Sequence, residues 1–290
     1  MNRLGLTVFV SAIVGTSCAF GELPHELEPL CQRIERELPK GTMEHLPPTV
    51  LRSFSNPPSV LTIPAGEIRD VEGVKALAAY LKAGAALYNK EPDLFKVIGK
   101  GKWEITELKL IGCPMDSEGV AAMAEALKIN KDLEFLQLAS CEIGPDGAKA
   151  IADALKDKPL KFLALINTKI GPDGVAAVAN TLKEGKCLEV LVLGGEQVGP
   201  KGAKAIWEMV CTSSKLKVLE LTNNAIGPEG AGWIAGALCN STTLERLTLN
   251  YCQLGPDGAK AIKEGLMRDT TLIVLELEGN FMGDKGAQDK

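Results

Sequence analysis

The chain has 290 residues, 46% hydrophobic and 24% charged, with only 4% aromatic residues and a formal net charge of −5. The core must therefore be aliphatic, and the acidic balance argues against a general nucleic-acid binder, which needs a basic stripe to displace counterions. Two histidines, His25 and His45, leave little material for His-based acid–base chemistry or a His-rich metal site.

The first element is an apolar run, Leu4 to Val14, preceded by Arg3 and followed by Gly15-Thr16-Ser17-Cys18-Ala19. Ser17 and Ala19 stand in a small-x-small arrangement. Residues 1–19 read as a secretory signal peptide cleaved after Ala19, too short to span a bilayer comfortably. An uncleaved membrane anchor is the plainer alternative. A lipoprotein signal at Cys18 would need Leu where Gly15 stands. The expected address is secreted or in the secretory pathway, with no stable membrane span elsewhere.

Residues 20–58 follow as an N-terminal cap. Leu27, Leu30, Ile34 and Leu38 fall on one helical face, with Glu26, Arg33, Glu35 and Arg36 on the rest. Pro47, Pro48, Pro57 and Pro58 then bracket a loop. Residues 59–104 form a divergent first unit: Val60, Leu61 and Ile63 make a strand, and Gly73, Val74, Leu77 and Leu81 make a helix. Residues 83–104 read as an irregular insertion.

From residue 105 to 290 the chain repeats. Leu133-Glu-Phe-Leu-Gln-Leu138 returns at Leu160, Leu188, Leu216, Leu244 and Leu272, with steps of 27, 28, 28, 28 and 28 residues. An earlier copy starts at Ile105, so L-x-x-L-x-L occurs seven times, the last unit truncated. Three residues beyond each pattern stand Cys113, Cys141, Thr168, Glu196, Asn224, Cys252 and Asn280. Two residues further on comes an apolar side chain, then a turn such as Gly144-Pro145-Asp146-Gly147. Proline there presets the first helical dihedral, and the acid suits the positive helix end. Ala148, Ile151 and Leu155 give the helix one apolar stripe, repeated at Val175, Val178 and Leu182 and onward. Each unit is thus strand, turn and helix. It buries its apolar rows only when neighbours stack on it, with about six side chains each worth roughly 1.5–3 kcal/mol.

The pattern resembles the ribonuclease-inhibitor-like leucine-rich repeats over residues 105–286, in unit length, in the Cys or Asn after L-x-x-L-x-L-x-x, and in the helical half Gly147 to Leu155. The resemblance implies an α/β solenoid, a horseshoe with a parallel sheet on its concave face and helices on its convex face, used mainly for protein recognition. Glu196 and Thr168 depart from Cys or Asn, so the buried side-chain ladder should be interrupted there.

The cysteines other than Cys18 are Cys31, Cys113, Cys141, Cys187, Cys211, Cys239 and Cys252; their spacing follows the repeat rather than a disulfide framework. Cys113, Cys141 and Cys252 should be small buried hydrophobes. Free thiols sit awkwardly with secretion. Gly99-Lys-Gly-Lys-Trp103 lacks the upstream glycine of a phosphate loop and reads as a loop with solvated lysines. Asn240-Ser241-Thr242 is a glycosylation sequon between units. No nucleophile–base pair, paired carboxylates or metal spacing stands out, so no catalytic residue and no cofactor is assigned.

The expected activity is non-enzymatic binding of a protein partner through the concave face. Residues between the strand leucines should face that groove. Phe135, Phe162, Ala164, Ile166, Val190 and Val192 make its first half apolar, while Glu220, Arg246, Tyr251, Glu276 and Glu278 make its second half polar. The plainer reading is that the apolar half is covered by the chain's own N-terminal helix or by residues 83–104. A Ran-type GTPase-activating protein carries similar repeats, but only Arg69 could serve as its catalytic arginine, and the signal peptide contradicts its location. The chain reaches Lys290 where a seventh helix should begin, leaving the sixth, with Ala259, Ile262 and Leu266, without an outer neighbour. Self-association through that end, as a structural assembly element, is a further alternative.

Overall fold

The computed structural model describes residue 34 and residues 36–53, 59–90, 105–183 and 185–283. The signal peptide, Leu27, Leu30, Cys31 and the lysine-rich segment 99–103 lie outside the described residues. The chain divides into two compact units, residues 1–133 and 134–290.

In the first unit, strands β1 (Val60–Ile63) and β2 (Glu107–Ile111) pair in parallel, Leu61 beside Leu108 and Ile63 beside Leu110. The divergent first unit therefore has the strand its sequence suggested. Two short helices, α1 (Thr42–His45) and α2 (Pro48–Ser53), occupy the segment read as a proline-bracketed loop. Pro48 opens α2, where its missing N–H has no partner to lose. Leu46 and Val50 are buried, and the Thr49 amide and hydroxyl donate to Glu67 at 3.1 and 2.7 Å. Ile34 and Leu38 are also buried.

Helix α3 runs from Val71 to Lys90, so residues 83–90 continue a helix rather than beginning an irregular insertion. The apolar run does not stop at Leu81: Ala83 and Leu87 are buried as well, and Ala83, Ala85, Ala86 and Leu87 are good helix formers that outweigh Gly84. Residues 91–104 lie outside the described residues. Helix α4 (Ser117–Ile129) is capped by Asp116, whose carboxylate accepts from the Gly119 amide at 2.8 Å. Asp70 does the same for Gly73 at the start of α3, at 2.9 Å. Each cap satisfies an amide that the first helical turn leaves unpaired.

The second unit alternates strictly: β3 (Phe135–Ala139), α5 (Gly144–Leu155), β4 (Phe162–Ile166), α6 (Gly171–Leu182), β5 (Val190–Gly194), α7 (Gly199–Thr212), β6 (Val218–Glu220), α8 (Gly227–Asn240), β7 (Arg246–Thr248), α9 (Gly255–Leu266) and β8 (Val274–Glu276). Each strand pairs in parallel with the next in sequence. This is a leucine-rich-repeat solenoid, and the register is the repeat itself: Leu163 lies beside Leu136 and Leu191, and Leu219 beside Leu191 and Leu247. Because strand side chains alternate in direction, one row of leucines is buried from β3 to β7 while the residues between them face the other way. At β8 the corresponding Leu275 and Leu277 keep part of their surface in solvent. The helix stripes Ala148/Ile151/Leu155 through Ala231/Ile234/Leu238 are buried throughout.

The recurring Gly-Pro turn has a backbone cause. Gly144, Gly171, Gly199, Gly227 and Gly255 hold φ between +58° and +68°, and at Gly144, Gly171, Gly227 and Gly255 a Cβ would meet nothing within 4 Å. The left-handed dihedral, rather than a lack of room, selects glycine. Proline then takes the first regular helical position. Among the described residues, no helix is long and apolar enough to cross a membrane.

The buried ladder departs from expectation at Glu196, which carries it on to Thr168. Asn224 sets the standard pattern. Its Oδ1 accepts from the Glu196 and Val198 amides at 3.0 and 3.1 Å, and its Nδ2 donates to Leu193 and Leu221 carbonyls at 2.6 and 2.8 Å. Asn280 does likewise for Cys252 and Leu249. Glu196 is 0% exposed and reaches back one repeat. Its Oε1 accepts from the Thr168 amide at 2.6 Å and the Thr168 hydroxyl at 2.9 Å, and its Oε2 from the Ile170 amide at 3.1 Å. The longer carboxylate covers the same two amides, and Thr168 adds a third donor. A buried carboxylate without a cation is tolerable when its lone pairs are filled this way.

Candidate functional site

The open face of the second unit's sheet presents three rows. Across β3 to β8 they read Phe135, Phe162, Val190, Val218, Arg246, Val274; then Gln137, Ala164, Val192, Glu220, Thr248, Glu276; then Ala139, Ile166, Gly194, followed beyond the short strands by Thr222, Asn250 and Glu278. The apolar and polar halves expected from the sequence are brought together on one face.

Phe135 and Phe162 are partners in register, and their rings stack with centroids 3.9 Å apart and planes 4° apart. Both are half-buried, as are Ile166, Val190 and Val192. Ala164 is a correction. It is 1% exposed and offers no binding surface, because its single methyl is sheltered below the larger side chains of the neighbouring strands.

The polar half is an organised network. Arg246 Nη1 donates to Glu276 Oε1 at 3.3 Å, and Asn250 Nδ2 donates to Glu276 Oε2 at 3.1 Å. Asn250 Oδ1 accepts from the Glu278 amide at 2.7 Å. Tyr251, 48% exposed, lies at the strand exit rather than in a row, and its hydroxyl donates to Glu278 Oε1 at 2.9 Å. That bond to a carboxylate holds its phenol above the ordinary tyrosine range. The Tyr251 ring covers Gly279, where a Cβ would come within 2.3 Å of it. Two of the three acids are thus engaged. Glu220 makes no ion pair or hydrogen bond among the described residues.

A cleft of about 330 Å³ opens among these groups, near the lower end of ligand-site volumes. Thr222, Thr248 and Asn250 line it beside Glu220, Arg246 and Glu276. Their importance was not legible from a repeat alignment, because each is one small polar residue in a column of unlike residues.

On the helix side, Trp207 and Trp233 meet at 5.2 Å, and Lys204 Nζ lies 5.3 Å from the Trp233 ring centre. Among the described residues, no group of three His, Cys, Asp or Glu side chains is placed to hold a metal ion. Arg69 lies exposed between β1 and α3. The cysteines at ladder positions 113, 141 and 252 are buried thiols. Burial pushes the Cys252 thiol up to about 11, while its Sγ donates to the Leu221 carbonyl at 3.0 Å.

The family model described as Leucine Rich repeat matches residues 130–152, 212–235 and 240–263. These three matches fall on the 28-residue repeat whose strands pair in parallel to build the leucine-rich-repeat solenoid. Among solved structures the chain is similar to an internalin from Listeria monocytogenes, at 12% identity, over 98% of this chain and 92% of that one, with a TM-score of 0.23. No curated protein matches the sequence.

Proposed function

We propose that this is a non-enzymatic recognition protein of the ribonuclease-inhibitor-like kind, secreted after loss of residues 1–19, which binds a protein partner on the concave face of its sheet. The stacked pair Phe135 and Phe162 carries this reading. Two adjacent aromatic rings that keep part of their surface open, continued by Val190, Val192 and Ile166, form the kind of apolar surface that marks an interaction site. The polar half beyond them supplies selectivity. Its acids favour a basic partner and steer its approach, whereas the rings hold it once docked.

The test is Phe162→Asp. Partner binding should be abolished while the melting temperature stays near that of the parent. Glu276→Lys should mainly slow association and change its salt dependence. If Phe162→Asp unfolds the protein and leaves no separable binding defect, the ring is core and the reading fails.

A further inference from the structure

We propose that the cleft at β6, β7 and β8 is a pocket for a primary ammonium group, carried by a lysine of the protein partner. We further propose that the partner bears an apolar anchor three or four residues from that lysine. This rests on the reading that the open sheet face is the binding surface.

The cleft contains two carboxylates and one guanidinium. Arg246 is already committed to Glu276, so Glu220 leaves one negative charge uncompensated. Thr248 stands between them in the same row, its Cα in register with both Glu220 and Glu276. Its side chain is 6% exposed, lines the cleft, and its hydroxyl has no hydrogen-bond partner among the described residues. Among the described residues only Trp207 Nε1 is a fully buried side-chain polar atom without a partner, so the Thr248 hydroxyl, itself unpartnered, keeps accessible surface. A ligand group entering the cleft can reach this hydroxyl and the Glu220 carboxylate together.

An anion would meet Glu220 and Glu276, and a neutral group would leave Glu220 unpaired. A cation removes both penalties. The acceptors in reach, the Glu220 carboxylate, the Thr248 hydroxyl and the Thr222 hydroxyl, are spread over two strands and the turn beyond one of them rather than lying in one plane. A compact ammonium with three donors suits that set better than a planar guanidinium fork. Val218 lines the same cleft and gives the methylene stem an apolar wall. Phe162 is on β4, two strands from Glu220 and three from Thr248. At about 4.8 Å per strand and about 3.3 Å per extended residue, that span is three to four residues.

The test uses three acetylated, amidated peptides, Phe-Gly-Ser-Lys and the same sequence ending in norleucine or in arginine, titrated into ¹⁵N-labelled full-length protein. The lysine peptide should shift the amide signals of Glu220 and Thr248 and bind about tenfold more tightly than the norleucine peptide, as expected for one charge-assisted contact. That advantage should vanish in Glu220→Gln, which breaks no existing bond and so preserves the fold, and should shrink in Thr248→Val. Equal affinity of the lysine and norleucine peptides, with signals of Phe135 and Phe162 still shifting, overturns the pocket and leaves the groove standing. An arginine peptide binding as tightly as the lysine one overturns the ammonium assignment. If no peptide shifts the signals of Phe135 and Phe162, the groove reading fails and the pocket with it.

Discussion

The ring of Phe135 lies flat against that of Phe162, in register on adjacent parallel strands and 3.9 Å away. Neither ring belongs to the row of buried leucines that holds the repeats together. Stacked aromatic pairs contribute about 0.5–1.5 kcal/mol beyond their buried area. The fold needs only the leucine side of each strand, so the rings can be changed without removing its core.

The ladder is tested at Glu196. Glu196→Ala strips acceptors from the amides of Thr168 and Ile170 and from the Thr168 hydroxyl, all buried. At roughly 1–3 kcal/mol for each stranded group, the expected loss is about 3 kcal/mol or more. Glu196→Gln keeps one acceptor oxygen and should lose less. Denaturant unfolding measures both, and equal small losses would contradict a ladder carried on through Glu196.

Two glycines separate dihedral strain from crowding. At Gly171, φ is +63° and no atom stands within 4 Å of a Cβ, so Gly171→Ala should destabilise by about 1 kcal/mol through the backbone alone. At Gly265 a Cβ would sit 2.9 Å from the backbone of Ala235 in α8. Gly265→Ala must push α8 and α9 apart and should cost about 1–3 kcal/mol as overpacking. Thermal melts of the two variants should show the second to be the more damaged.

The cysteines should differ in reactivity. Cys187 is exposed, whereas Cys113, Cys141 and Cys252 are buried. With its pKa pushed up to about 11 by burial, Cys252 holds roughly one thiolate per thousand molecules at pH 8. A thiol reagent should therefore label Cys187 in the native protein and the three ladder cysteines only after unfolding. The unfolded chain ionises this thiol at lower pH than the folded one. Its contribution to stability is therefore complete below pH 9 and is lost as pH rises toward 11.

Much of the fold was legible because one physical requirement recurs. Leu136, Leu163, Leu191, Leu219 and Leu247 must face a shared core every 27 or 28 residues, and the Gly-Pro turn must recur with them. Where a requirement is met by unlike chemistry, the pattern misleads. Glu196 does the work of asparagine from a longer side chain, helped by Thr168, and so it reads as a break. Residues 83–90 read as irregular because they fall outside the repeat, although Ala83, Ala85, Ala86 and Leu87 favour a helix. In the site, the two phenylalanines were visible as a pair in one column. Ala164 was not recognisable as buried, since the alternation of strand faces says nothing about how large neighbours shelter a methyl. The partnering of Glu276 and Glu278, which leaves Glu220 alone, depends on side-chain geometry that spacing does not encode.

Residues 1–19 are predicted to be removed on secretion. Intact-mass measurement of the protein from its native host should find a chain beginning at Phe20. A mature chain beginning at Met1 would contradict secretion by this route.

The most direct test of recognition through the sheet face is capture of partner by immobilised protein, comparing the parent, Phe162→Asp and Leu163→Ala. Leu163 is buried on the opposite side of the same strand and should lose about 2–5 kcal/mol of stability as a cavity mutant. The account predicts that Phe162→Asp melts close to the parent yet loses every protein the parent retains, while Leu163→Ala, if still folded, retains them. Retention of the same proteins by Phe162→Asp at parental strength would contradict it.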